Sequence, residues 1–188
     1  MQASQLCSIF QINWYKFKQI EKIMKLDTKD AKILGILKRN ALSSVQTVAG
    51  EVGLTNNPCW RRIKQLQESG VIERYTIDIN NQAIGLQTTA FVTIKIDDHS
   101  ERWLTNFSAV VKTIPEIVEC HRMTGSVDYM LKILVSDLFH YDKVYQTLIS
   151  KIDGLADVSA TFSMESLKSA DDMDIAKLAI NTKSSVSN

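Results

Sequence analysis

The stretch TNNPCWRRIKQLQESG, residues 55–70, decides how the first part of the chain folds. Within it, Cys59, Ile63 and Leu66 recur at helical spacing and predict the buried face of a helix. Thr55 precedes that helix as an expected N-cap, and a glycine closes the stretch.

The opposite face of this helix carries hydrogen-bond donors close to its N-terminus. Asparagine pairs bidentately with adenine and arginine with guanine, whereas lysine suits phosphate. In a helix-turn-helix the N-terminal end of the second helix reaches the base edges. The residues predicted to contact DNA are Thr55, Asn56, Asn57, Trp60, Arg61 and Lys64. The alternative is a solvated charged face, with Arg62 nearer the core and paired to a carboxylate.

Two helices are predicted before this one. Asp27 and Asp30 begin the first, since an acidic first turn suits the helix dipole. Ser44 caps a second, short helix over residues 45–52, and Gly53 ends it. Helix, short helix, tight turn and helix is the helix-turn-helix arrangement. Residues 71–77 are then predicted as a strand, in the position of a small wing or a linker.

From residue 87 the apolar period changes from helical spacing to alternation, which predicts a strand. A helix ending near Ile114, a strand over 117–123, a turn over 124–128 and a strand over 129–135 follow. Another helix precedes Gly154, and a last strand runs to Met164. The order βαββαβ is the ferredoxin-like unit, so the predicted fold class is α+β.

These elements predict five segments. They are an N-terminal extension (1–23), a winged helix-turn-helix domain (24–80), a linker (81–86), a ferredoxin-like domain for effector binding and oligomerisation (87–168) and a tail (169–188). The second segment contains nine basic and six acidic residues, whereas residues 87–170 contain eight basic and eleven acidic. A basic first half hints at an anionic partner for that half.

The composition, 45% hydrophobic and 23% charged, is that of a globular protein, and no apolar run approaches a membrane span. No secretory signal is visible, and the three cysteines are widely spaced, which fits the cytoplasm and predicts no metal site. The three histidines show no catalytic pairing and no nucleotide-binding loop is present, so we expect no enzyme and no cofactor.

Four stretches together resemble the Lrp/AsnC (leucine-responsive/asparagine regulator) family of transcription regulators. They are LDTKDAKIL, LTNNPCWRRIKQLQESGVIERY, IPEIVECHRMTGSVDYMLKI and DGLADVSATFSMESLK, within residues 26–168. A departure is Gly50, which stands where a helix former is usual. The stretches PCWRRIKQL, HSERW and FSMESLK are most similar to the subgroup that senses cysteine.

The resemblance implies a regulator of amino-acid metabolism that binds double-stranded DNA. It implies a homodimer that assembles into an octamer or a similar ring, with a small amino acid bound between dimers. Cysteine, leucine or methionine are candidate effectors, and no effector at all remains open. The effector residues implied by the match are Thr124, Gly125, Ser126 and Asp128. A purely structural turn, with Gly125 at positive φ and Asp128 as its cap, is the simpler interpretation.

Two other functions stay open at this point. One is an assembly protein with a helix-turn-helix that does not bind DNA, which the weak basic charge of the first half allows. The other is an amino-acid-sensing regulatory subunit of an enzyme, because ferredoxin-like modules also serve that role.

Overall fold

The computed structural model describes residues 26–169 and 173–175. The chain divides into two compact units: one extends to Ile77 and resumes at Lys168, and the other spans Asp78 to Leu167. The predicted extension, residues 1–23, and most of the predicted tail lie outside the described residues. Within the described ranges, no helix combines the length and the apolar character needed to cross a membrane.

The first unit consists of three helices around one apolar core. They are α1 (Thr28–Arg39), α2 (Val45–Val52) and α3 (Asn56–Glu68). The core residues of α3 are the predicted Cys59, Ile63 and Leu66. They pack on apolar residues of α1 and α2, which confirms the predicted inward face of the helix.

The ends of these helices follow the predicted signals closely. Asp27 and Asp30 form a reciprocal capping box at the start of α1, and the Ser44 side chain accepts a hydrogen bond from the Thr47 N–H at the start of α2. Gly53 ends α2 with φ 68°, a left-handed conformation that favours glycine. The turn between α2 and α3 is therefore tight, which fixes where the N-terminus of α3 begins.

An ion-pair cluster joins the start of α1 to the middle of α3. Arg62 Nη1 donates to Asp27 Oδ2 at 2.6 Å and to Asp30 Oδ1 at 2.7 Å. Hydrogen bonds to Asp30 and Asp27 raise the pKa of the Arg62 guanidinium. The hydrogen bond from the Asp30 N–H lowers the pKa of the Asp27 carboxyl below its ordinary value; burial opposes this shift, and the hydrogen bond from Arg62 adds to it. Because Asp30 is only 6% exposed, Arg62 supplies hydrogen bonds that water cannot supply there.

The structure differs from four local predictions, in whole or in detail. The structure has no strand over 71–77, because the described residues place no second strand beside this segment. Thr55 occupies the N-cap position of α3, but its side chain makes no capping hydrogen bond. Ile114 is buried just beyond the end of its helix at Lys112. Met164 follows the last strand and is fully exposed.

The second unit has the predicted βαββαβ order. Its elements are β1 (Thr88–Ile96), α4 (Glu101–Lys112), β2 (Ile117–Arg122), β3 (Tyr129–Val135), α5 (Leu138–Lys151) and β4 (Leu155–Phe162). The strands form one sheet in the order β2-β3-β1-β4, and every neighbouring pair is antiparallel. This order is that of a ferredoxin-like sheet and confirms the α+β prediction.

Alternate residues of β1 face the two helices of this unit, which lie on one side of the sheet. The stacked rings of Trp103 and Phe107, whose centroids are 4.9 Å apart, extend the core towards Tyr129. Trp103 Nε1 donates to the carbonyl of Asp153 at 2.6 Å. The next residue is Gly154, with φ 75°, and an added Cβ would lie 3.4 Å from Trp103 Nε1.

Replacing Arg62 with Met should destabilise the helical unit by about 1–3 kcal/mol, because the nearly buried Asp30 carboxylate would lose its partner. The lower part of that range applies if solvent screens the site, since the Arg62 side chain is 33% exposed. Hydrogen exchange of the α1 and α3 amides measures the change. Arg61→Met, at an exposed neighbouring position, is the control and should stay within about 0.5 kcal/mol of the parent.

Lowering the pH should reduce the stability of the helical unit. The pKa of Asp27 is lowered in the folded protein from an ordinary value of 3.8, so its stabilising contribution is present above that value. The contribution is lost as the pH falls through the lower, folded pKa. Exchange of the α1 amides should therefore accelerate below about pH 4. The acceleration should be smaller in Arg62→Met, and equal slopes in the two proteins would contradict the assignment.

Candidate nucleic-acid interface and effector turn

The predicted DNA-contact residues of α3 share a single surface. Asn57, Arg61 and Lys64 are spaced by four and three residues, so they lie on one face, opposite the three buried residues of the helix. All three are exposed. Asn56 and Trp60 flank this face, and the Trp60 side chain is 51% exposed. The structure thus brings the predicted set together along the first nine residues of α3 and its N-cap.

The two cations on this face differ in their surroundings. Lys64 Nζ lies 3.6 Å from Glu68 Oε1 and 5.2 Å from the centre of the Trp60 ring. Arg61 has no ion pair with any residue of the described chain. Its five N–H donors are therefore open to a guanine edge or a phosphate. To contact a phosphate, the Lys64 ammonium would have to leave Glu68 or interact with both groups at once.

The neighbouring arginines of α3 have different surroundings. Arg62 is held by Asp27 and Asp30, as the alternative interpretation of the sequence predicted for that residue.

Thr55, at the N-terminus of α3, remains exposed and its hydroxyl makes no hydrogen bond within the described residues, so it can donate to a phosphate oxygen. The first N–H groups of α3 have no acceptor within the helix, and the positive end of the helix dipole favours an anion there.

Two residues that shape this surface were not predicted. Gln65 lies one turn beyond Arg61 and is exposed, and an amide at that position is suited to adenine. Its four-residue spacing from Arg61 is a signal that the sequence already contained. Lys29 Nζ donates to the carbonyls of Val52 and Gly53 at 3.1 and 3.0 Å, which caps the C-terminus of α2 just before the turn. No spacing in the sequence points to that long-range contact.

The predicted effector turn connects β2 and β3 at one end of the sheet. Thr124, Gly125 and Ser126 are exposed, and Gly125 has φ 125°. Their backbone N–H groups donate to no acceptor within residues 26–169 and 173–175. Positive φ at Gly125 fits the structural role expected of that glycine, and the free N–H groups leave the turn able to bind an anion.

Asp128 links this turn to the central strand. Its side chain Oδ2 accepts from the Ile96 N–H at 3.0 Å, and its own N–H donates to the Ile94 carbonyl at 2.9 Å. The Asp128 carbonyl accepts from the Met123 N–H at 2.8 Å, which closes the turn. Asp128 therefore continues the ladder between β1 and β3 with a side-chain oxygen. Its second carboxylate oxygen makes no hydrogen bond within the described residues.

The turn provides the two kinds of group that a free amino acid requires. Unpaired N–H groups suit an α-carboxylate, and a carboxylate suits an α-ammonium. The neighbouring Tyr129 is 5% exposed, and burial raises the pKa of its phenol, so it remains neutral. Residues 124–126 are open to solvent in the single chain, so an enclosed site would need a second surface.

No group of three or more metal-ligating side chains occurs in the described part of the chain.

Comparison with known protein families gives matches to both units. Residues 26–73 match the winged helix-turn-helix DNA-binding family, and residues 89–173 match the Lrp/AsnC ligand binding domain. The glutamate uptake regulatory protein of Zymomonas mobilis is 43% identical over 146 residues, which cover 78% of this chain and 88% of the relative. The DNA-binding transcriptional activator DecR of Escherichia coli is 38% identical, covering 76% of this chain and 94% of the relative.

Solved structures agree with these matches. An AsnC family transcriptional regulator from Agrobacterium tumefaciens has a TM-score of 0.73 and 42% identity, covering 77% of this chain and 94% of its own. A transcriptional regulator of Neisseria meningitidis, solved as a complex with L-Met, has a TM-score of 0.72 and 30% identity, covering 77% and 93%. The helix-turn-helix face, the ferredoxin-like unit and these relatives lead to one assignment: the chain belongs to the Lrp/AsnC family of transcription regulators and is not an enzyme.

Proposed function

We propose that this regulator reads its DNA site with Asn57 and Arg61 of α3, and that a small amino acid bound at the 124–128 turn modulates this activity. The observation that carries the DNA contact is the guanidinium of Arg61, which has no ion pair within the described residues and lies on an exposed face near the N-terminus of α3. Thr55, Asn56, Trp60 and Lys64 complete the proposed surface. A protein of this kind acts where the DNA is, so the cytoplasm is the proposed compartment.

Arg61→Ala should weaken binding to the specific site by about 1–3 kcal/mol if the guanidinium pairs with a guanine. Binding to unrelated duplex DNA should change much less, because phosphate contacts do not depend on sequence. Fluorescence anisotropy with a duplex selected from a random library, titrated over a range of salt concentrations, measures both terms.

Arg102→Ala is the matched control for Arg61→Ala, since it removes the same charge from an exposed position of the other unit. It should leave specific binding unchanged. Equal losses in the two variants would mean that only overall charge matters. An unchanged affinity in Arg61→Ala would remove this residue from the interface, and a parent affinity independent of salt would favour a protein that only assembles.

The proposed effector site uses the turn as one half of an enclosed pocket. The unpaired N–H groups at Thr124, Gly125 and Ser126 would receive the α-carboxylate, and the free oxygen of Asp128 the α-ammonium. The related regulator of Neisseria meningitidis, solved with L-Met, supports an amino acid as the ligand. Cysteine, leucine and methionine are the proposed candidates, with cysteine favoured by the stretches that resemble the cysteine-sensing subgroup.

Two surfaces support the proposed homodimer. The sheet face turned away from α4 and α5 is not covered by the helices of its own unit, and Phe91 on that face is 38% exposed. The extended segment before β1 exposes Tyr75, Ile77 and Ile79 at alternate positions. A second copy could cover both surfaces, since unpaired extended segments and open apolar faces favour association. Further assembly of dimers, into an octamer or a similar ring, would then enclose the turn.

The choice of Asp128 variants separates ligand binding from structure. Asp128→Asn keeps an oxygen acceptor for the Ile96 N–H but removes the negative charge, whereas Asp128→Ala removes both. Thermal unfolding of the parent against each of the twenty amino acids should reveal one clear stabiliser, worth about 2.7 kcal/mol at a hundredfold excess over Kd. Asp128→Asn should lose this response while melting close to the parent in the absence of ligand.

Asp128→Ala should melt lower even without ligand, because the Ile96 N–H loses its acceptor. A parent that responds to no amino acid would leave the turn with a structural role alone. A full response in Asp128→Asn would show that the carboxylate charge does not hold the ligand.

A further inference from the structure

The chain returns to the helical unit after the sheet unit ends. Ile175 packs against the apolar core of the three helices. Met173, Asp174 and Ile175 line a groove of about 640 Å³ whose remaining walls come from α1 and from Glu51 of α2. The described part of the C-terminal segment therefore belongs to the same compact unit as residues that precede it by more than a hundred positions.

The groove lies mostly on the side of α1 away from the three-helix core, but Ile36 both lines the groove and belongs to that core, which is how Ile175 reaches it. Ile33 and Leu37 define the core face of α1, whereas Ala31 and Gly35 fall on another side of the helix and line the groove. Ala31 is only 3% exposed, although it lies outside the core cluster. A helix that is covered on two sides behaves as an internal element and not as the edge of a domain.

Charge also favours an acidic segment in this groove. The α1 wall contributes Lys32, Lys38 and Arg39, and the α2 wall contributes Glu51, which lies 3.8 Å from Arg39. The sequence DDMD at 171–174 contains three carboxylates, one of which is the groove-lining Asp174. Opposite charges lining the same groove attract each other, and solvent exposure makes that attraction sensitive to salt.

We propose that residues 173–175 dock into the α1 groove of their own chain, with Ile175 as the apolar anchor and Asp174 on the basic wall. When this segment is docked, both ends of the sheet unit lead into the helical unit. The first connection follows Ile77 and the second follows Leu167. The inference goes beyond the proposed function, because docking requires neither DNA nor an effector.

The docked segment should protect α1 from local opening. A chain that ends at Ser169 and the variant Ile175→Asp should both show α1 amides that exchange about five- to tenfold faster, since each loses the apolar anchor. The amides of β1 should exchange as in the parent. Hydrogen exchange followed by mass spectrometry, applied to the parent, the shortened chain and the Ile175 variant, resolves α1 and β1 separately. Unchanged exchange of α1 in both variants would overturn the proposal.

The control is Met164→Asp, which makes a comparable apolar-to-acidic change at a fully exposed position near the same end of the chain. It should leave α1 as slow to exchange as in the parent. If Met164→Asp accelerates exchange as much as Ile175→Asp does, the effect comes from added charge and the proposal fails.

Docking onto a second copy is the competing occupant of the groove. To test it, an isotopically labelled chain that ends at Ser169 is mixed with unlabelled full-length protein so that mixed oligomers form. The label separates the α1 peptides of the two chains by mass, so exchange is measured in each. The labelled α1 should stay fast to exchange if each tail binds its own chain. Recovery of protection in the labelled α1 would show that the tail binds the partner and would overturn docking within one chain.

Discussion

The helical unit depends on the ion-pair cluster between Arg62 and the carboxylates of Asp27 and Asp30. It joins the first turn of α1 to the middle of α3 across 32 and 35 positions of sequence. A helix in a three-helix unit can turn about its own axis unless a directional contact fixes it. The apolar stripe of α3 sets this orientation roughly, and the two charge-assisted hydrogen bonds of Arg62 set it more narrowly. Arg61, 100° further round the helix, is consequently directed to solvent.

In the sheet unit, Asp128 combines a structural hydrogen bond with a carboxylate oxygen that remains available. One carboxylate oxygen replaces a main-chain acceptor at the end of the β1–β3 ladder, which fixes the start of β3. The other oxygen is left over, beside a turn whose N–H groups are also unpaired. Because the Asp128 side chain has a structural role and a proposed ligand-binding role, removing it entirely is a poor test of ligand binding. An amide at the same position retains the structural hydrogen bond and loses the charge.

The sequence predicted the elements well where the signal is local. Helical spacing gave the buried stripe of α3, and Asp27, Ser44 and Gly53 marked helix ends that the structure confirms. It failed where the outcome depends on distant partners. An alternating segment at 71–77 forms a strand only beside another strand. Lys29 capping the carbonyls of Val52 and Gly53 cannot be read from either stretch alone.

For the proposed site residues too, the sequence predicts what depends on local spacing and misses what depends on distant partners. Their shared surfaces follow from spacing, since Asn57, Arg61 and Lys64 recur on one helical face. The distinction between them does not, because the partner of Lys64 and the freedom of Arg61 are set by where Glu68 and the α1 carboxylates lie in space. Adjacent arginines with identical chemistry therefore receive different tasks: Arg62 stabilises the unit, and this leaves Arg61 available to DNA. Helical spacing already indicates which arginine lies nearer the core, and the structure adds which carboxylates hold Arg62.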